Sequence, residues 1–117
     1  MKSDPENIVL IRTDRIGEVL LSTSAVDMVK NRYPSAQITF VTSEYARPLV
    51  EDRKDLKEIL TADTFTRRGW LKRAVELSRR LKAGHFDMAV VMNPHKMLHL
   101  AVFLAGIPVK VGYDRKW

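Results

Sequence analysis

The side chains best suited to chemistry lie in one short segment, residues 13–18, directly after a run of β-branched apolar residues. The segment brings together a hydroxyl, two carboxylates and a guanidinium: Thr13, Asp14, Glu18 and Arg15. An ionised carboxylate can accept a proton from a substrate hydroxyl, and a helix N-terminus would keep Glu18 ionised. The structural alternative is that Asp14 caps the helix and Glu18 complements the helix dipole. With Gly17 as its one glycine, the segment is neither a dinucleotide fingerprint nor a Walker loop.

A second polar segment, residues 93–96, follows another apolar run. Asn93 and His95 could hydrogen-bond the hydroxyls of a ligand, and Lys96 could meet an anionic group. Alternatively, Asn93-Pro94 is a common turn and His95 caps a helix. His95 and His99 are four residues apart and would share a helix face, but two imidazoles need a third ligand to hold a metal. We therefore expect no metal site here.

Both segments must be positioned by elements of alternating type. Short apolar runs at 7–12, 36–42, 58–60, 87–92 and 107–112 predict strands, and the stretches 18–32, 43–51, 69–82 and 97–104 predict helices. The clearest helix carries an apolar stripe (Trp70, Ala74, Leu77 and Leu81), and Ala83-Gly84 is predicted to end it. This alternation predicts an α/β fold with a mostly parallel sheet. Ligands of such sheets bind at the carboxyl ends of the strands, which residues 13–18 and 93–96 follow.

The positive charge is concentrated in one helix. The 117 residues carry 20 Lys and Arg, 14 Asp and Glu, and a net charge of +6. All of this excess lies in residues 67–82, which hold one acid, Glu76, and seven basic residues: Arg67, Arg68, Lys72, Arg73, Arg79, Arg80 and Lys82. The basic face is typical of a solvated surface helix or of a helix docked on an anionic membrane. A nucleic-acid-binding domain is a weaker alternative, because only Trp70 interleaves the charges and no recognised motif is present.

Composition excludes several classes of protein. With 45% hydrophobic and 29% charged residues, the chain is typical of a soluble globular domain. It has no apolar run of about 18 residues, and its start is too acidic for a signal peptide. The absence of cysteine excludes disulfides and thiolate zinc sites and fits a reducing compartment, so we expect a cytoplasmic location. Because the sequence stops at Trp117 without a closing helix, we expect a piece of a longer protein.

Several stretches together resemble one enzyme family. They are IVLIRTDRIGEVLLSTSAV at residues 8–26, Tyr33-Pro34, ITFV at 38–41, Asn93-Pro94-His95 and GIPVKVGY at 106–113. They resemble the N-terminal part of the family 9 glycosyltransferases, the ADP-heptose:lipopolysaccharide heptosyltransferases and their relatives. The resemblance runs over essentially the whole chain. Its most specific part is the Asp-Arg-Ile-Gly-acid-Val-Leu-Leu segment.

The resemblance implies a GT-B architecture, in which two Rossmann-like domains face each other across a cleft. This chain would be the N-terminal, acceptor-side domain, and ADP-heptose would bind the C-terminal domain that is absent here. The family implies inverting transfer without a metal or other cofactor. It also implies a carboxylate base directly after the motif glycine. That position is Glu18 here, one methylene longer than the family's usual Asp.

The same resemblance implies an acceptor in the lipopolysaccharide core, whose phosphates and acidic sugars arginine can bind. We expect Arg15, Thr13, Arg12, Asn93, His95 and Lys96 to contact it, although Arg12 could instead pair with a neighbouring acid. Because this acceptor lies in the inner leaflet, docking at the inner face of the cytoplasmic membrane through the 67–82 helix is a hypothesis beside the simpler solvated face. We expect the fragment alone to be inactive. The alternative is a stand-alone α/β binding module in which the loop carboxylates only cap helices.

Overall fold

A computed structural model describes residues 5–13, 16–44, 46–62, 69–92 and 96–112 of the chain. Within these ranges, the side chains of residues 16–23, 49, 96 and 112 are left undescribed. The described strands are β1 (Asn7–Ile11), β2 (Gln37–Thr42), β3 (Glu58–Thr61), β4 (Met88–Val91) and β5 (Val109–Gly112). The described helices are α1 (Ile16–Arg32), α2 (Trp70–Ala83) and α3 (Lys96–Ala105), with a short 3₁₀ helix at Arg47–Leu49.

The strands form one parallel sheet in the order β3-β2-β1-β4-β5. The central strand is β1, in which Ile8 pairs with Ile38 of β2 on one side and with Met88 of β4 on the other. Its residues Ile8 to Ile11 are fully buried, as expected for a strand covered on both faces. The predicted α/β fold with a Rossmann-like parallel sheet and flanking helices is confirmed.

The two faces of the sheet carry separate apolar cores. On one face, alternate strand residues such as Leu10 and Phe40 pack with Val26 of α1 and with Val50 beside the 3₁₀ helix. On the opposite face, the intervening residues pack against α2 and α3; Val9, Ile11, Val41, Leu77 and Leu98 are members. The alternation of side chains along a strand therefore assigns α1 to one layer and α2 with α3 to the other.

The observed element bounds differ from the predicted ones where proline or a helix end intervenes. The predicted 43–51 helix is wrong, because the only helical segment described there is the three-residue 3₁₀ helix that contains Pro48. Proline lacks an N–H and disfavours α geometry in the residue before it. Strand β5 begins at Val109, two residues later than predicted and directly after Pro108. Helix α1 begins at Ile16, so Glu18 is its third residue.

Helix α2 ends where the sequence predicted, but Gly84 does not have the conformation typical of glycine at a helix end. Gly84 has φ −79°, and the left-handed residue is His85 with φ 52°. A Cβ atom at Gly84 would lie 2.5 Å from Cε2 of Phe86. Glycine is therefore needed at position 84 for the close approach of the Phe86 ring rather than for backbone freedom.

Candidate functional site

The strand order creates a crevice between β1 and β4. From these neighbouring strands the chain leaves to opposite faces, into α1 after β1 and into α3 after β4. Diverging connections at the carboxyl ends of adjacent parallel strands form the usual ligand site of such sheets. The two segments singled out in the sequence, residues 13–18 and 93–96, are the connections that follow β1 and β4. The described residues that lead into them, Arg12 and Met92, are neighbours in the fold, although 80 residues separate them along the chain.

The proposed base lies at the start of α1. Glu18 occupies the first turn, where the unpaired backbone N–H groups of a helix favour a carboxylate. Its side chain lies outside the described part of the structure, as do Asp14 and Arg15. The base role of Glu18 and the acceptor contact of Arg15 therefore stay predictions.

Arg12 makes the most informative described contact of the site. Its Nη1 donates a hydrogen bond of 2.7 Å to the backbone carbonyl of Met92, the residue after β4. Its backbone N–H donates to the carbonyl of Val41 at 2.9 Å, and the N–H of Met92 donates to Ile11 at 2.9 Å. The half-buried guanidinium therefore crosses from the end of β1 to the end of β4. The sequence had suggested an acceptor group or a neighbouring acid as its partner, and nothing local indicated this carbonyl.

Three hydroxyl side chains are buried at the carboxyl ends of β1 and β2: Thr13, Thr42 and Ser43. Ser43 Oγ accepts the N–H of Ala46 at 3.1 Å and so shapes the entry to the 3₁₀ helix. Thr42 Oγ1 has no hydrogen-bond partner among the described residues. Thr13 is fully buried and has an interaction partner within the protein, and its acceptor contact stays a prediction. The sequence analysis did not predict the buried hydroxyls of β2, although the Thr-Ser pair at the end of this apolar run could have indicated them.

Of the second polar segment, residues 93–96, the structure describes only the backbone of the last residue. Lys96 is the first residue of α3, with its side chain outside the description, and Asn93 to His95 also lie outside it. His99 lies in the first turn of α3, is half-buried and has an interaction partner within the protein. Within the described ranges, no three His, Asp or Glu side chains lie close enough to hold a metal ion. The acceptor contacts expected from Asn93, His95 and Lys96 stay predictions.

One exposed basic side chain of the cationic helix also makes a contact with the sheet. The apolar stripe is confirmed, with Ala74, Leu77 and Leu81 buried and Trp70 packed against the same core. Arg80 Nη2 donates to the carbonyl of Thr61 at 2.7 Å and so ties α2 to the end of β3. The exposed basic residues in the described part of this helix are Lys72, Arg79, Arg80 and Lys82. Arg67 and Arg68 lie outside the described residues.

The outer face of α2 also exposes two apolar side chains. Leu71 is 56% exposed and Val75 is 39% exposed, and the two lie one turn apart. Lys72 lies beside them, and Arg79 follows one turn after Val75. No helix in the described ranges is both long and apolar enough to cross a membrane.

Comparison with known proteins identifies similar sequences and folds. No protein-family model matches the sequence. Lipopolysaccharide heptosyltransferase 2 of Escherichia coli strain K12 is 27% identical over 112 residues, which cover 91% of this chain and 30% of that relative. A family 9 glycosyl transferase from Veillonella parvula DSM 2008 superposes with a TM-score of 0.83 and 21% identity over 97% of this chain and 34% of its own.

A second solved structure agrees with the first. The ADP-heptose lipopolysaccharide heptosyltransferase II of E. coli superposes with a TM-score of 0.69 and 24% identity, over 91% of this chain and 30% of its own. The chain therefore spans about a third of the length of these relatives. The resemblance found in the sequence is confirmed: the chain is heptosyltransferase-like and has a fold found within family 9 glycosyltransferases.

Proposed function

We propose that this chain is the N-terminal, acceptor-side domain of an inverting glycosyltransferase that transfers heptose from ADP-heptose to the inner core of lipopolysaccharide. The observation that supports the proposal is the strand order, because α1, which contains Glu18, and α3, which begins with Lys96, follow the adjacent strands β1 and β4. The similarity to a lipopolysaccharide heptosyltransferase over 91% of the chain supports the choice of substrate.

In this proposal Glu18 is the general base. Its carboxylate takes the proton of an acceptor hydroxyl while that oxygen attacks the anomeric carbon of the donor sugar. The bond between the anomeric carbon and the phosphate oxygen breaks, and ADP leaves with the electron pair. Attack from the face opposite ADP inverts the anomeric configuration. The donor is held by a second domain, so the acceptor-side domain alone has no transferase activity.

The remaining predicted residues hold the acceptor on either side of the crevice. Arg15 follows β1 and Lys96 follows β4, so their charges suit phosphate or carboxylate groups of a lipopolysaccharide core. Asn93 and His95 supply hydrogen bonds to sugar hydroxyls. We place Arg12 differently, on the strength of its bond to Met92, in the next subsection.

Substitution of Glu18 tests the proposal. In the longer protein that carries this chain, Glu18→Gln should lower turnover by at least about 100-fold, because an amide cannot take the proton. Glu18→Asp should retain more activity, since it keeps a carboxylate at the length usual in the family. The exposed acid Glu76 supplies the matched control, and Glu76→Gln should behave as wild type. Wild-type turnover in Glu18→Gln would remove Glu18 from the mechanism.

A second part of the proposal concerns membrane docking through α2. Exposed Leu71 and Val75 beside Lys72 and Arg79 form an apolar pair with flanking cations, which suits the headgroup region of an anionic membrane. Each basic residue near such a surface contributes on the order of 1 kcal/mol. The acceptor is a lipid, so docking would bring the crevice to its substrate at the inner face of the cytoplasmic membrane.

Vesicle binding tests whether α2 docks on an anionic membrane or only presents a solvated basic face. Lys72→Glu/Arg79→Glu should abolish co-sedimentation with phosphatidylglycerol vesicles, whereas Lys54→Glu/Lys57→Glu makes the same charge change at exposed positions elsewhere and should leave it unchanged. Equal binding by both double variants would exclude docking through α2. Steeply salt-dependent binding to duplex DNA that is lost in the first variant alone would instead favour the nucleic-acid alternative.

The stand-alone binding module is the remaining alternative. In a module of that kind, Glu18 only complements the helix dipole, and Glu18→Gln changes stability but not ligand affinity. A reading frame that continues beyond residue 117 into a second α/β pattern would favour the glycosyltransferase.

A further inference from the structure

We propose that Arg12 is a positioning residue, which holds the two loops of the β1–β4 crevice in register, rather than a ligand of the acceptor. The inference rests on the proposed function for its consequence in catalysis, but its structural part stands on described contacts alone. Its central observation is the 2.7 Å hydrogen bond from Arg12 Nη1 to the carbonyl of Met92.

Arg12 joins three strands at the edge where the crevice opens. Its N–H continues the ladder to β2 through Val41, and its side chain reaches the residue that follows β4. The N–H of Met92 returns to Ile11, the residue before Arg12. Met92 is therefore held through both its N–H and its carbonyl by consecutive residues of one strand end.

The bond to Met92 acts at the last point where the two strands are still paired. Beyond Met92, the chain leaves for α3 while the chain after Arg12 leaves for α1 on the other face. The carbonyl of Met92 belongs to the planar peptide group that leads into Asn93, so fixing its oxygen fixes the direction in which the second loop departs. A guanidinium suits this task because it is permanently charged and its N–H groups form a rigid fork.

The bond matters for catalysis because the reaction would use groups from both loops. Glu18 lies six residues after Arg12, and Asn93 directly follows Met92. A proton transfer and a bound acceptor must be aligned across the crevice, and displacements of about 1 Å can cost about 100-fold in rate. A guanidinium that binds Met92 and lies half-buried is better placed to set that alignment than to bind an incoming phosphate.

Amide hydrogen exchange on this 117-residue chain tests the structural part directly. Arg12→Met keeps the aliphatic part of the side chain and removes its donors, so the Met92 amide should exchange at least about tenfold faster, as expected for local opening. Arg12→Lys keeps one charged donor and should lie between this variant and wild type. The Lys57 amide, which donates to Ile38 at 2.7 Å far from Arg12, should be unchanged, and Arg32→Met on the surface of α1 is the matched control. Unchanged exchange at Met92, or an equal acceleration at Lys57, would overturn the proposal.

Steady-state kinetics of the longer protein test the consequence. A positioning role predicts that Arg12→Met lowers kcat by about 10- to 100-fold and leaves the acceptor KM within about twofold. An increase in acceptor KM with kcat retained would make Arg12 an acceptor ligand and the proposal wrong. If the wild-type protein has no transferase activity, the proposed function fails, whereas the exchange experiment still decides whether Arg12 holds the end of β4.

Discussion

The carboxylate of Asp87 accepts a hydrogen bond of 3.0 Å from the N–H of Asn7, while the N–H of Asp87 donates to the Asn7 carbonyl at 2.8 Å. The same Oδ2 also accepts the N–H of Glu6 at 2.9 Å. These bonds join the starts of β1 and β4 across 80 residues of sequence. Arg12 and Met92 join the opposite ends of the same two strands. A charged side chain therefore holds β1 and β4 together at each end of the pair: Asp87 at the amino ends and Arg12 at the carboxyl ends.

Removal of the Asp87 carboxylate should destabilise the fold. Asp87→Ala leaves the N–H groups of Glu6 and Asn7 without their acceptor, and we expect a loss of about 1–3 kcal/mol in the free energy of unfolding. Asp87→Asn keeps one amide oxygen and should cost less. Urea denaturation measures both, with the exposed Asp52→Ala as the control. A change in Asp87→Ala no larger than that of Asp52→Ala would contradict the role of Asp87.

Leucine-to-alanine substitution at two positions of α2 should show how much burial contributes to stability, because the change in helix propensity is the same at both. Leu77 is 1% exposed in the core beneath α2, whereas Leu71 is 56% exposed on its outer face. Leu77→Ala should lower the free energy of unfolding by about 2–5 kcal/mol because it leaves a cavity. Leu71→Ala should change it by no more than about 0.5 kcal/mol. Equal losses in thermal or urea denaturation would contradict the observed orientation of α2.

Gly84 should tolerate no side chain while Phe86 keeps its position. Gly84→Ala places a methyl group 2.5 Å from the Phe86 ring, which must move, and we expect a loss of about 1–3 kcal/mol in the free energy of unfolding. A double-mutant cycle with Phe86→Leu should recover part of this loss, because the coupling arises from that contact. Strict additivity of the two single changes would show that the contact does not cause the loss.

Substitution of the neighbouring His85 by glycine should affect stability in the opposite direction to Gly84→Ala. His85 has φ 52°, a conformation that glycine adopts without steric cost. His85→Gly should therefore leave stability unchanged or raise it by up to about 1 kcal/mol. Destabilisation by more than that amount would show that the imidazole makes a contact that outweighs its backbone strain.

Stability should fall at acidic pH through the ion pairs of Arg53. Arg53 hydrogen-bonds Asp55 through Nε at 3.0 Å and Nη2 at 2.7 Å, and it bonds Asp27 of α1 through Nη2 at 2.7 Å. The hydrogen bonds from Arg53 hold the pKa of Asp55 below its ordinary value of 3.8. The folded state therefore binds this proton less readily than the unfolded chain does. The resulting stabilisation is present above about pH 4 and is lost as the pH falls through the lowered pKa.

The size of this effect should be small because the pair is partly exposed. The Asp55 side chain is 37% exposed, so solvent screening limits the contribution to at most about 1 kcal/mol. Asp55→Asn should flatten the dependence of the free energy of unfolding on pH between about 2 and 4, with Asp52→Asn as the control. An unchanged slope in urea denaturation across this range would exclude Asp55 as a contributor.

The elements of this fold were largely predictable because their signals are local. The apolar run before Thr13 indicated a strand buried on both faces, and Ile8 to Ile11 are fully buried. The spacing of Ala74, Leu77 and Leu81 indicated the buried face of α2. The predicted helix at 43–51 is wrong: the sequence permitted Pro48 in the first turn of an α-helix, but the described helical segment there is only the 3₁₀ turn that contains it.

The site was predictable only in part. Parallel strands present their carboxyl ends at one edge, so the sequence could place residues 13–18 and 93–96 at the same edge. It could not predict that Arg12 binds the carbonyl of Met92 or that Asp87 binds the start of β1, because both partners lie about 80 residues away. Nor could it show that Arg80, an exposed basic residue of α2, also binds the carbonyl of Thr61.

The sequence by itself determined the alternation of strands and helices, the two-sided burial of β1 and the family that the chain resembles, since periodicity and motif spacing act over a few residues. The tertiary structure decided the strand order, which makes β1 and β4 neighbours, and with it the partners of Arg12, Asp87 and Arg80. Such partners depend on how distant segments meet in space. A charged side chain binds whatever group the fold brings within hydrogen-bond reach, and the residues next to that side chain in the sequence do not indicate which group this is.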